Sequence, residues 1–231
     1  MNLSVRSYKK ELLDGKNIPF ADIRQNMNEL NFINTWLGGH AITIEGFRKI
    51  LQDRKKITVC EIGCGGGDNL LAIYNWCNKN NVDVQLTGID YNRDCIDIAY
   101  KKLPFSNTQF ITADYKEAIF DHYKPDIVFS SLFCHHFTNE ELVYMLNWMG
   151  ANAGLGFFIN DLHRHFLAFY SIKILTRVFS KSYLVKNDAP LSVERGFIRK
   201  EWIELLKQSS VNVYSIQWKW AFRWLITCHI D

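Results

Sequence analysis

Two groups of residues in this 231-residue chain have the types and the spacing to do chemistry. The first is Glu61-Ile-Gly63-Cys64-Gly65-Gly66-Gly67, where an acidic residue stands two places ahead of glycines at alternate positions. Glycine tolerates the backbone of a sharp turn, and without a Cβ it lets a ligand lie against the main chain. The second is a set of imidazoles, His135-His136 and, further on, His163 and His165, with Asp161 beside the latter pair. An unperturbed imidazole titrates near pH ~6.5, so such a residue can take the proton of a weak acid as it reacts.

The elements that must position these groups are readable in outline. Ile57, Val59 and Ile62 form a short, β-branched run of the kind found in interior parallel strands. Leu70, Leu71, Ile73, Tyr74 and Cys77 follow at helical spacing, so free N–H groups should face whatever sits above the glycine turn. A dinucleotide fingerprint would need a third glycine where Asp68 stands, and a P-loop would need a Lys-Ser/Thr pair that is missing. Residues 84–90 read as a second strand ending in Asp90, a carboxylate able to accept both hydroxyls of a ribose. Asn92 can cap a helix running to about Lys102, and Pro104 breaks the chain before a third strand at 108–113 that exits through Asp114 and Tyr115. Asp114 could instead cap the segment 115–120. A fourth strand begins at Pro125 and delivers Ser131, His135 and His136, and Thr138-Asn-Glu-Glu141 is a capping box for the next helix, with Leu142, Met145, Leu146 and Met149 as its buried face.

Residues 155–161 are an almost wholly apolar fifth strand whose tip brings Asn160, Asp161, His163 and His165 toward the same rim. His163 and His165 share a side only if the chain stays extended there. No spacing in this group matches a strong zinc pattern, so no metal site is expected. Residues 166–182 form an aromatic, basic amphipathic segment. It could lie on a membrane surface; a lid over an apolar acceptor channel is the preferred reading. Asn187-Asp-Ala-Pro190 and Gly196 read as loop punctuation. A last helix is expected at 199–208, followed by strands at 211–218 and 222–229 that lie too close for a crossover and must pair antiparallel. Residues 1–52 look helical. Phe20, Ile23, Met27, Leu30, Ile33 and Leu37 recur at helical spacing, Gly38-Gly39 supplies a stop, and a second helix is expected from near Thr43. This arm adds no strand, so it should act as a cap, with Trp36 to His40 either structural cover or closing over the ligand.

The glutamate with Gly-x-Gly-x-Gly, and the later motifs in their order, resemble class I S-adenosylmethionine-dependent methyltransferases. The resemblance runs from about Ile57 to the end of the chain. It implies an α/β, Rossmann-like doubly wound seven-stranded sheet closing in an antiparallel hairpin. The expected organisation is an N-terminal helical cap (1–52) and a methyltransferase domain (53–231) with a lid insertion at 163–197. It also implies S-adenosylmethionine held by Glu61, Gly63, Cys64, Gly65, Gly67, Asp90, Tyr91, Asp114, Tyr115 and Ser131. Asp90 would bind the ribose diol, Asp114 the adenine amino group, and Glu61 the methionine end. The loop after the fourth strand lacks the Asn/Asp-Pro-Pro-Tyr/Phe signature of enzymes that methylate nucleobase amino groups. Its His-His pair, with Asn160-Asp-Leu-His-Arg-His165, resembles bacterial small-molecule methyltransferases of quinone and aromatic polyketide pathways. The expected acceptor is therefore a hydrophobic phenol, quinol or polyketide oxygen. His136 is the first candidate for the base, His135 the second, with His163 or Asp161 as substitutes. The alternatives are a methyltransferase acting on protein or RNA, and a cofactor-binding protein without catalysis.

Composition sets outer bounds. Hydrophobic residues make up 48% and charged residues 22%, the balance of a globular chain. The net charge of +3 is too small to imply a nucleic-acid partner, and Lys9-Lys10, Lys55-Lys56 and Lys101-Lys102 are scattered. Six cysteines include no Cys-x-x-Cys pair, which fits free thiols in a reducing cytoplasm. No apolar run is long enough to span a bilayer, although peripheral contact is compatible with the 166–182 segment. The oligomeric state is left open.

Overall fold

The computed structural model describes residues 3–15, 17–120 and 124–230. Its centre is one seven-stranded sheet in the order β3-β2-β1-β4-β5-β7-β6. The strands are β1 (Lys56–Ile62), β2 (Asp83–Asp90), β3 (Thr108–Thr112), β4 (Ile127–Ser131), β5 (Gly156–Leu162), β6 (Tyr214–Lys219) and β7 (Arg223–His229). The first five are parallel, and β7 runs antiparallel to both β5 and β6. The three-residue link between β6 and β7 explains the reversal, because a parallel crossover needs a dozen residues or more.

Two-residue periodicity sends alternate side chains of each central strand into two separate cores. On one face Ile57, Val59, Phe129, Phe158 and Leu225 meet α2 (Gly39–Leu51), α3 (Asp68–Lys79) and α4 (Arg93–Lys102). On the other, Cys60, Ile62, Val128, Phe157, Ile159 and Ile226 meet α5 (Asn139–Asn152) and α8 (Arg199–Gln208). The same alternation splits the two polar residues at the tip of β5. Asn160 points to the α2 side, where its amide donates to Gly39 O at 3.0 Å and Thr43 Oγ1 at 3.2 Å. Asp161 points the other way, toward His135. Expecting both at one rim overlooked this divergence.

Several boundaries follow the sequence signals. Asn92 caps α4 by accepting from Asp94 N and Cys95 N, and Thr138 with Glu141 forms the capping box of α5. Gly38, with φ +76°, separates α1 (Phe20–Trp36) from α2. Other expectations need correction. Helix α2 starts at Gly39, not near Thr43, and β6 starts at Tyr214, not Val211. The described residues before Phe20 form no α-helix: they run as an extended strap broken by one 3-10 turn, Leu12–Asp14. Asn187 to Pro190 are not a loop; they lie inside α7 (Tyr183–Arg195), which follows α6 (Phe166–Phe179). Proline there removes one backbone donor, but burial of Leu184, Val185, Pro190 and Val193 outweighs the local preference. All six cysteines are free and buried. No helix among the described residues is long and apolar enough to cross a membrane.

Candidate active site

Strand order reverses between β1 and β4, so a crevice opens beyond their carboxyl ends. A cavity of about 910 Å³ occupies this position. Its floor is the turn after β1. Gly63 N and Cys64 N both donate to Ile89 O, at 2.8 and 3.1 Å, which pins the turn to the tip of β2. Gly63 has φ +68°, and a Cβ there would lie 2.3 Å from the Phe133 ring. Any side chain would therefore be strained in backbone and blocked in space. Gly65, with φ +50°, faces the cavity, while Gly67 caps α3 just behind its wall, against Ala99 and Leu103.

Glu61 is buried on the cavity wall. One carboxylate oxygen accepts from Asn69 Nδ2 at 3.1 Å; the other, Oε2, has no partner. Burial pushes this carboxyl well above its ordinary pKa, against the Asn69 hydrogen bond. A buried carboxyl oxygen with an unused lone pair beside a cavity can accept from a ligand donor. Asp90 accepts from Gly65 N through Oδ2 and from Asn92 N through Oδ1, each at 2.9 Å. Each oxygen keeps a second lone pair for a ligand hydroxyl. Burial also raises the Asp90 pKa. Tyr91, largely exposed, and Ser131, buried, line the same space. Asp114 lines it too, and it also caps the turn Tyr115–Glu117 by accepting from Lys116 N at 3.0 Å. Tyr115 is buried edge-on against Phe133, Phe137 and Trp148, with its hydroxyl unpartnered.

Opposite this wall stands a cluster of acids and imidazoles. His135 Nδ1 donates to Asp161 Oδ1 at 2.8 Å, and His135 Nε2 lies 3.5 Å from Glu11 Oε1. His136 Nδ1 lies 3.2 Å from Asp14 Oδ1, and its Nε2 lies 3.7 Å from Glu11 Oε2. Burial disfavours charge on His135, but Asp161 and then Glu11 reverse this and raise its pKa to about 9. Asp161 and Glu11 stay below the ordinary carboxylate range despite burial, each because of His135, and Asp14 does so because of His136. Ligand atoms of Glu11, His135 and His136 lie within 4.8 Å of one another, close enough to share a cation. The carboxylates on either side favour the protonated form of His135, so a metal ion binding there would displace that proton.

Glu11 and Asp14 were not found from the sequence, since both sit in a segment read only as cover. Their position is set by long-range contacts. Asp188 of α7 accepts from Leu12 N at 2.8 Å and Leu13 N at 2.9 Å, and Ser192 donates to Glu11 Oε1 at 2.7 Å. Arg195 donates to His135 O at 3.0 Å and to Lys9 O at 2.6 Å. Asp161 is fully buried behind His135 and does not reach the cavity. His163 and His165 remain extended and side by side, ring centroids 5.4 Å apart, but both lie outside the cavity lining. His163 Nδ1 accepts from Trp218 Nε1 at 3.1 Å, and burial with His165 and Arg164 lowers its pKa to about 4. Leu37 lines the cavity; Trp36 faces solvent, and His40 is held by Asn69 and Asn31 at 2.9 Å each.

Residues 59–151 match the family model for a methyltransferase domain. The chain carries a class I S-adenosylmethionine-dependent methyltransferase domain. The fold is shared with solved methyltransferases at low identity. The plantazolicin methyltransferase BpumL, in complex with a pentazolic desmethylPZN analogue and SAH, superposes with a TM-score of 0.68 at 16% identity over 91% of each chain. Magnesium protoporphyrin IX methyltransferase from Synechocystis PCC 6803 gives 0.51 at 14% identity, over 94% of this chain and 86% of that one. A SAM-dependent methyltransferase from Aquifex aeolicus gives 0.57 at 14% identity, over 81% and 89%. No curated protein matches the chain by sequence. In this methyltransferase the glycine turn, Glu61 and Asp90 share one cavity with the histidine cluster.

Proposed function

We propose that the enzyme methylates an oxygen of a hydrophobic small molecule, of the phenol, quinol or polyketide kind. The observation that carries this reading is the single cavity joining the Glu61–Asp90 wall to the His135–His136 cluster, with an apolar flank of Leu30, Ile33, Leu37, Ile172 and Leu175. Solved enzymes of the same fold take small acceptors, a desmethylPZN analogue in one and magnesium protoporphyrin IX in another. An RNA or protein acceptor would need an exposed basic or peptide-binding groove, and the net charge of only +3 argues against it. The unpartnered oxygen of Glu61 supports catalytic use of the cofactor rather than passive structure.

In this reading Glu61 binds the methionine ammonium, Gly63, Cys64 and Gly65 offer backbone contacts with Gly67 shaping the turn behind them, and Asp90 takes the ribose hydroxyls. Tyr91, Asp114 and Tyr115 border the adenine, and Ser131 borders the methionine chain. S-adenosylmethionine supplies a methyl group already activated on a sulfonium. The protein must therefore hold the acceptor oxygen in line and exclude water, which can be worth up to roughly 7–11 kcal/mol. His136 takes the acceptor proton on Nε2. Asp14 holds Nδ1 as the protonated nitrogen, so the lone pair lies on the Nε2 side. His135, already protonated between Asp161 and Glu11, orients the cluster and steadies the negative charge gathering on the oxygen. His163 and Asp161 act through packing and through His135. The N-terminal strap and α1, with the segment 163–197, form the acceptor-side cover, while α2 of the 1–52 arm packs on the sheet itself.

The test is transfer of labelled methyl to a panel of phenols, quinols and polyketides. The best acceptor should lose about 10²–10⁴-fold in turnover with His136→Ala while cofactor affinity stays within about threefold. Unchanged turnover would remove His136 from the mechanism.

A further inference from the structure

One surface of the molecule is not used by this chemistry. Helix α6 presents a straight row at four-residue spacing to solvent: Phe166, Tyr170, Ile174 and Val178 are 55%, 52%, 63% and 66% exposed. A soluble domain normally buries such a row or covers it with a partner. Trp220, 70% exposed, lines the same cavity. Ala168, Ser171, Ile172 and Leu175, on the inward side of the same helix, form part of the cavity wall. A single helix therefore separates an exposed apolar face from the acceptor side of the site.

The charges that α6 itself carries have one sign, while Glu29 of α1 meets the corner at its C-terminal end, accepting from Lys181 N. Helix α6 contains Lys173 and Arg177 and no carboxylate, and Lys181 follows it directly. All three are exposed, and neither Arg177 nor Lys181 spends its side chain on an ion pair among the described residues. A second copy of the chain meeting this face by two-fold symmetry would set these cations against themselves. An apolar row that contains Phe166 and Tyr170 and is flanked by basic residues is instead the pattern of a helix lying in the headgroup layer of an anionic bilayer.

We propose that α6 docks the enzyme on an anionic phospholipid surface, its Phe166–Tyr170–Ile174–Val178 row in the acyl boundary and its lysines and arginine among the headgroups. Docked this way, Ser171 and Trp220, which are exposed and also line the cavity, lie beside the apolar phase, and a membrane-dissolved acceptor enters there without crossing water. The docking stands whether or not the acceptor is a phenol, because binding to lipid is measured without turnover.

The experiment is flotation of the full chain with vesicles of phosphatidylcholine alone and of phosphatidylcholine with 30% phosphatidylglycerol, a composition chosen as roughly that of an anionic bilayer surface. Binding is expected to the anionic vesicles and to weaken as salt rises. The double substitution Ile174→Asp and Val178→Asp should reduce binding at least about tenfold. Replacing Lys173, Arg177 and Lys181 by Ser should reduce it about fivefold per charge at low salt. Both variants alter exposed side chains, so their melting temperature and cofactor affinity should match the parent. Absence of binding to the anionic vesicles, or equal binding by the aspartate variant, would overturn the proposal. So would a dimer in sedimentation that dissolves with Ile174→Asp and Val178→Asp, since a second copy would then occupy the face.

Discussion

At the scale of single residues, the site trades stability for binding at Glu61. Its folded pKa is raised by burial, so its contribution to stability is full below the unfolded value and is lost as pH rises through the higher folded one. Near neutrality the carboxyl destabilises the ligand-free protein, and its Oε2 has no partner; in the proposed reading a ligand cation supplies one. Glu61→Gln should therefore raise the melting temperature of the ligand-free protein while weakening S-adenosylmethionine binding about 10–100-fold, read by calorimetry. Lower stability together with weaker binding would contradict this account. His135 has the opposite charge logic. Its pKa is raised to about 9, so the stability it gains from Asp161 and Glu11 is present below about pH 6.5 and lost as pH rises toward 9 and beyond. Asp161 and Glu11, with lowered values, lose theirs as pH falls through the acid range. Urea midpoints should fall between pH 7 and pH 9.5 by an amount equivalent to on the order of 3 kcal/mol, and His135→Gln should flatten that alkaline limb.

At the scale of elements, what the sequence made legible was local and periodic. The strand–turn–helix at Glu61, Asp90 at the end of β2, the Asn92 and Thr138 caps and the closing hairpin all declare themselves within a few residues. What stayed hidden was set by contacts between distant segments. Nothing local in Glu11 or Asp14 signals that they meet His135 and His136; the meeting depends on Asp188, more than 170 positions away, gripping Leu12 N and Leu13 N. Period-two alternation at Asn160 and Asp161 was readable, but which face each would meet was not. The Asp188 contact makes a prediction at this scale. Asp188→Ala frees the turn that carries Glu11 and Asp14, so turnover should fall about tenfold or more with cofactor affinity nearly unchanged. A second joint behaves similarly. Glu29 of α1 accepts from Ser180 Oγ and from Lys181 N and Ser182 N at 3.1 Å, holding the corner between α6 and α7. Glu29→Ala should speed proteolytic cleavage near residues 180–182 several-fold and raise the acceptor KM more than the cofactor KM. Equal effects on both constants would mean that the corner supports the whole fold, not the acceptor side.

At the scale of the whole molecule, the two halves of the reaction are held by different kinds of structure. The cofactor wall grows from the tips of parallel strands, with Gly63 and Cys64 tied to Ile89 and Gly65 tied to Asp90. These bonds tie the strand tips to one another and do not involve the N-terminal strap. The acid–imidazole cluster, to which we assign the acceptor's proton, depends on that strap. Arg6 donates to Arg195 O, Asn139 Oδ1 and Phe137 O, at 3.1, 2.9 and 2.9 Å, Ser7 N donates to Glu194 O at 3.1 Å, and Glu11 and Asp14 complete the cluster. Removing residues 1–15 should therefore separate two properties that a uniformly cooperative domain would lose together. Cofactor affinity should stay within about threefold, because the strand tips are intact. Methyl transfer should fall by at least about 100-fold, because His136 loses Asp14 and His135 loses Glu11. Titration calorimetry and labelled-methyl transfer on the same preparation measure the two. A parallel fall in both would mean that the strap stabilises the sheet itself, and the division of labour between strand tips and strap would have to be abandoned.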